Sequence, residues 1–171
     1  MLRLMGCVLV IAGCVGVAGN ICRENKKRLE LLKQIRSLYE NMKYYIAYQK
    51  STIPEVLRKM AGREDNFFSP VFYDIHQRLR DGNENFAESW NNCMKEALAH
   101  SVLKKQERRL VLDFPSCLGY MEENAQANAL DELLWEVIRK IEELDREQKN
   151  QNKLVMSLGT AAGVLLSILL L

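Results

Sequence analysis

The chain has 171 residues, room for one domain, with 48% hydrophobic side chains and a formal net charge of +2. Of its 24 Lys and Arg only Arg3 lies outside residues 23–153, and all 22 Asp and Glu lie inside that span. That near-balance lacks the basic surplus usual in a nucleic-acid binder, and apart from Arg3 it confines charge to the middle of the chain.

From Leu4 to Cys22 no residue is charged. A helix of that length, at about 1.5 Å per residue, nearly crosses a hydrocarbon core of about 30 Å, so residues 1–22 read as a transmembrane helix. A cleavable signal peptide competes with this reading, and Ile11, Ala12, Gly13 and Cys14 resemble a lipoprotein cleavage box. Against cleavage, the start carries one charge, and apolar character continues through Val15, Val17 and Ile21 without a polar mature start.

Residues 23–153 are read as a water-facing helical domain. Leu29, Leu32, Ile35, Leu38, Met42 and Tyr45 recur at helical spacing with charges between them, which predicts a long amphipathic helix ending near Lys50. Thr52 and Glu55 then have the spacing of a capping box, with Pro54 in the first turn where its missing N–H costs nothing, and Gly62 closes the short helix. Ser69 and Pro70 announce a third helix with Val71, Phe72, Ile75 and Leu79 inward, stopped by Asp81 and Gly82. A fourth runs from about Asn85 to Leu103 with Phe86, Trp90, Met94 and Leu98 inward. The basic run Lys104 to Arg109 reads as a solvated helix face, with a docking surface as the alternative, and Phe114 with Pro115 interrupts the chain. The clearest stripe follows: Leu130, Leu133, Leu134, Val137, Ile138, Ile141 and Leu144.

Between Asp145 and Lys153 every side chain is polar, yet neither Gly nor Pro appears, so the last bundle helix is expected to continue into the second apolar stretch. That stretch, residues 154–171, is the second transmembrane candidate. Within it Gly159 and Gly163 stand four apart, the small-residue spacing that lets another helix approach closely in lipid; Gly13, Gly16 and Gly19 offer an opposing surface. The inner flanks carry Arg23, Lys26, Lys27 and Arg28, then Arg146, Lys149 and Lys153, whereas the outer flanks hold only Arg3. Lys and Arg excess marks the cytoplasmic side, so the expected topology is a two-pass cell-membrane protein with both termini outside and the central domain cytoplasmic. The expected fold is all-α: a cytoplasmic antiparallel bundle flanked by an N-terminal and a C-terminal transmembrane helix.

Chemistry is sparse. His76 and His100 fall on different predicted helices with no ligand pattern around them, and Cys93 and Cys117 lack metal-ligand spacing. No phosphate loop, nucleophile elbow or dinucleotide fingerprint occurs. Glu122 with Glu123 and Glu142 with Glu143 are adjacent, so on a helix they point apart and cannot share a reacting centre. No catalytic, cofactor or metal residue is therefore expected.

The sequence resembles the stage III sporulation protein AB family over essentially its full length. The resemblance rests on Thr52, Pro54, Glu55, Val56 and Leu57; on Arg80, Gly82, Phe86, Ala87, Glu88 and Trp90; on Leu118, Gly119 and Gln126; and on Ser157, Leu158, Gly159 and Gly163. Pro115 stands where a glycine is expected, and Met121 with Glu122 where a small residue and Asp are expected. Among these, Pro54, Gly82, Trp90, Gly119 and Gln126 carry structural roles by the resemblance. It implies a cytoplasmic bundle similar to the platform protein, component F, of type II secretion machines. It further implies a non-enzymatic scaffold of the channel complex between mother cell and forespore, docking the motor ATPase, stage III sporulation protein AA, and other channel subunits. Partners would then be those proteins and the lipid bilayer, with no nucleic acid and no cofactor; self-association is left open. Two rivals stand beside this: a membrane-anchored regulator or sensor binding a signalling partner, and an enzyme whose site is assembled from scattered polar residues.

Overall fold

A computed structural model describes the backbone of residues 2–62, 66–82, 85–118 and 123–170; most side chains in 2–18 and 151–170, and those of 123 and 124, lie outside the described set. Among the described residues every regular element is helical and none is a strand. The chain forms two compact units, Glu30–Ile141 and a second made of Met1–Leu29 with Glu142–Leu171.

The elements follow from the apolar periodicity. Helix α1 (Leu2–Lys43) buries Leu29, Leu32, Ile35, Leu38 and Met42 as the spacing requires, and adds Leu31 and Tyr39 to the stripe. Its solvent face carries the pairs Lys33–Glu30 at 3.1 Å and Arg36–Glu40 at 2.8 Å, each adding a few tenths of a kcal/mol, about 0.2–0.5, to helix stability. The helix widens into a π-turn over Tyr44–Tyr48, where Gln49 N–H reaches back five residues to the Tyr44 carbonyl at 3.2 Å. Lys50, at φ +52°, then leaves the helical backbone, so the end of the first helix falls where the apolar pattern stops.

Helix α2 (Ile53–Ala61) starts at the predicted place, with Pro54 in its first turn, and buries Val56, Leu57 and Met60. Its capping box does not form. Thr52 makes no side-chain cap bond, and Glu55 instead pairs with Lys59 at 3.7 Å, one turn along the helix. Gly62 follows the helix at φ −78°, so no left-handed turn is made there. Helix α3 (Ser69–Arg80) has Pro70 in its first turn, but Ser69 is inside the helix and not its cap; Asn66 accepts the Phe68 N–H at 3.0 Å ahead of it. Val71, Phe72 and Ile75 are buried and Leu79 is half-buried. Asp81 and Gly82 end the helix as expected, Gly82 at φ +72°.

Helix α4 (Phe86–Ala99) is shorter than predicted and ends at His100. It has a true cap: Asn85 Oδ1 accepts the Glu88 N–H at 2.9 Å. Helix α5 (Lys105–Leu112) is a separate element that the basic run alone did not delimit, and after the turn at Asp113 the four-residue α6 (Phe114–Cys117) carries Pro115 in its first turn. Helix α7 (Glu123–Leu170) buries Leu130, Leu133, Val137 and Leu144, while Leu134, Ile138 and Ile141 are half-buried.

In the unit Glu30–Ile141, α2 packs on α3, α3 on α4, and α4 on α5 and α6. An ion pair between Lys43 and Asp131 joins α1 to α7. In the other unit, Arg28 and Leu29 of α1 and Leu144 and Gln148 of α7 are buried, and Gln148 Nε2 donates to the Asn25 carbonyl. The polar stretch 145–153 is helical throughout, as the lack of Gly and Pro permits, and carries the i,i+4 pairs Lys149–Asp145 at 2.8 Å and Arg146–Glu142 at 3.4 Å. Among the described residues no helix is long and apolar enough to cross a membrane. Most side chains of the two predicted spans lie outside that set.

Candidate interaction surfaces

Trp90 is the hub of the bundle. It is fully buried, its indole Nε1–H donates to the Val111 carbonyl at 2.9 Å, and its ring stacks on Phe114 with centroids 4.7 Å apart. Phe72 and Phe86 close on the same indole at 6.1 and 5.6 Å, and Phe114 stacks on Tyr39 at 5.4 Å. One aromatic chain thus joins α1, α3, α4 and α6, each ring contact adding about 0.5–1.5 kcal/mol beyond area burial. The other residues singled out by resemblance serve the backbone. Pro54 opens α2 and is exposed, Gly82 supplies a left-handed turn, and Gln126 Nε2 donates to the Leu118 carbonyl at 3.3 Å, tying the start of α7 to the end of α6. Gly119 lies outside the described residues.

The buried polar groups are spent on packing. Tyr39 donates its hydroxyl to the Leu110 carbonyl at 2.7 Å, and burial first, then the nearby Cys117 and Asp113, pushes its phenol well above the ordinary tyrosine range. Burial, then Asp113 and Glu132, raises the Cys117 thiol, opposite to the depressed value that makes a cysteine nucleophilic. Glu107, in the basic run read as solvated, is buried; its carboxylate accepts the Lys104 N–H at 2.9 Å and forms half of a capping box, the other half being impossible because a lysine side chain has no acceptor. His100 is exposed at the end of α4, and His76 is half-buried on α3 with Nδ1 buried and without a hydrogen-bond partner among the described residues. Among the described residues no group of three or more His, Cys, Asp and Glu could hold a metal.

Three surfaces stand out, of which the pattern of the sequence had singled out only the basic run. At the π-turn Tyr44, Tyr45 and Tyr48 form a ring cluster, and Lys59 lies over the Tyr45 ring at 4.9 Å. On α7 Trp135 is 69% exposed, on the same face as the exposed Glu132, Glu136 and Arg139. On α5 Lys105 and Arg109, with Lys104 just before it, are exposed and Arg108 is half-exposed. Trp135 was legible in principle: it sits outside the stripe through Leu130, Leu133 and Val137, which places it on the water side.

At the small residues of the predicted spans, a Cβ built on Gly13, Gly16, Gly19 or Gly159 would meet nothing within 4 Å. Close helix approach at Gly159 is therefore not made by the chain's own described atoms, and the surroundings of Gly163 lie outside the described residues.

The fold and its surfaces define an all-helical domain whose interior is given to aromatic packing and whose distinctive features face outward. The chain matches the family described as Stage III sporulation protein AB over residues 3–171, and it belongs to that family. It is similar to Stage III sporulation protein AB of Bacillus subtilis (strain 168), 22% identical over 171 residues that cover 100% of both chains. It is also similar to a solved structure titled Stage III sporulation protein AB, with TM-score 0.66 and 18% identity over 72% of this chain and 98% of that one. At that identity the structural likeness shows the fold.

Proposed function

We propose that this protein is a non-enzymatic membrane platform of the channel complex between mother cell and forespore, required for endospore formation, and that its helical domain docks a cytoplasmic motor ATPase. The observation that carries the reading is helical continuity at both ends. Helix α1 is a single element from Leu2 to Lys43 and α7 a single element from Glu123 to Leu170, so the helices that contribute to the bundle also contain the two uncharged stretches. With those stretches inserted in the bilayer, the Lys and Arg on their inner flanks hold residues 23–153 in the cytoplasm. Membership of the sporulation family supports the process, and the spending of Trp90, Tyr39 and Glu107 on internal bonds supports a scaffold.

Deletion of the gene in its host is expected to block sporulation, and the full-length chain is expected to retain the motor ATPase in a pull-down. Normal spores, or a chain that never captures the motor, would sink the platform reading. A reporter active only in the cytoplasm, fused after Leu171, is expected to stay silent; activity there would overturn the topology.

A further inference from the structure

We propose that the Trp135 face of α7 docks on the basic face of α5 of a second copy of this chain, giving head-to-tail self-association through the water-facing domain. Trp135 is 69% exposed and stands on one helical face with the carboxylates Glu132 and Glu136, both exposed. Glu136 reaches Arg139 only at 4.0 Å, with both side chains more than half exposed, and Glu132 has no ion-pair partner among the described residues. An indole face bordered by carboxylates is a site for Lys or Arg, because the ring quadrupole and the carboxylates attract the same cation.

The chain carries that cation cluster itself. Lys104 at the cap of α5 and Lys105 and Arg109 on it are exposed, and among the described residues neither they nor Arg108 has an ion-pair partner. The one acid in the run, Glu107, is buried, with its carboxylate on the Lys104 N–H, so the exposed side chains of the run carry no acid. Within one copy no ion pair joins Lys104, Lys105, Arg108 or Arg109 to Glu132 or Glu136 among the described residues, which leaves these complementary charges for a second copy. The tyrosine cluster at the π-turn is the weaker candidate for such a role, since Lys59 already lies over Tyr45. Two different faces meeting make a heterologous contact, which closes into a ring or extends into a row depending on its rotation.

The test uses the full-length chain in detergent micelles, mixed as isotopically light and heavy protein and treated with a carbodiimide that joins a carboxylate to a lysine amine without a spacer. Peptides linking Glu132 or Glu136 to Lys104 or Lys105, with one light and one heavy half, are expected. Their absence, or pairs drawn only from the same molecule, would overturn the proposal. By sedimentation, Glu132→Lys and Arg109→Glu are each expected to weaken self-association about tenfold, and the double swap to restore it to within about threefold. Trp135→Ala is expected to weaken it about tenfold as well, through loss of a central aromatic contact. These side chains are exposed, so unchanged circular dichroism is expected alongside the loss. A double swap that restores nothing, association lost only through Gly163→Leu, or a chain that sediments as a monomer at every concentration would each refute it. The proposal does not depend on motor docking: a chain that self-associates in this way and never captures the motor separates the two.

Discussion

Replacing Trp90 tests whether one aromatic hub organises the bundle. Trp90→Ala removes a fully buried indole from contact with Phe72, Phe86 and Phe114 and leaves the Val111 carbonyl, on a fully buried residue, without its donor. A buried Trp→Ala exchange costs about 3–5 kcal/mol, a large share of the roughly 5–15 kcal/mol that holds a typical domain together. Trp90→Phe divides that cost. It keeps a ring against Phe114 but loses the Nε1–H bond, so the expected loss is about 1–3 kcal/mol, the desolvation cost of an unpaired buried carbonyl. Urea denaturation of the full-length chain in mild detergent, followed by circular dichroism, reads both. The midpoint is expected to fall with an unchanged slope, further for Ala than for Phe, and melting to drop by about 4–8 °C per kcal/mol for a unit near 100 residues. A Trp90→Phe chain as stable as the parent would show that the Val111 bond contributes nothing. A Trp90→Ala loss below about 2 kcal/mol would refute the hub, since the site would then be collapsing around the gap.

Tyr39 makes stability depend on alkaline pH. Its phenol is raised in the folded chain, so below the unfolded value of about 10 both states hold the proton and the full stability is present; above it the unfolded state ionises first and stability falls. Tyr39→Phe is expected to lose about 0.5–1.5 kcal/mol at neutral pH, from the hydroxyl bond to Leu110, and to flatten that alkaline decline. An identical decline in both chains would assign it elsewhere. Gly82→Ala has open space for its Cβ but must hold φ +72°, so a loss of about 1 kcal/mol is expected from backbone strain alone, with Gly82→Asn losing less. Asn85→Ala is expected to cost about 1 kcal/mol because it removes a real cap, whereas Thr52→Ala, whose hydroxyl caps nothing, is expected to change stability by less than about 0.5 kcal/mol. Thermal melts of the two variants side by side check the contrast.

Helix placement was legible wherever a strict pattern met a backbone constraint. The stripe from Leu29 to Met42 and the one from Leu130 to Leu144 needed only period and polarity, and Gly82 ended α3 because few other residues tolerate its turn. Caps were less legible, because a spacing permits a bond without requiring it. Thr52 and Glu55 stand at capping-box distance, yet Glu55 turns to Lys59; Ser69 sits next to Pro70, yet Asn66 holds the turn ahead of α3.

The alternation of apolar and polar residues by itself determined that this protein is helical, where its two uncharged stretches lie, and that no ligand-spaced cluster runs along the chain. Those properties follow from local covalent order and from the period of the helix. Only tertiary structure decided that Trp90, Phe114 and Tyr39, distant in the chain, share one stack, and that Glu107 leaves its basic run for the interior. The same holds for the outer face: an exposed Trp135 on α7 and exposed cations along α5 are properties of surfaces, and surfaces exist only once the chain has decided which residues to bury.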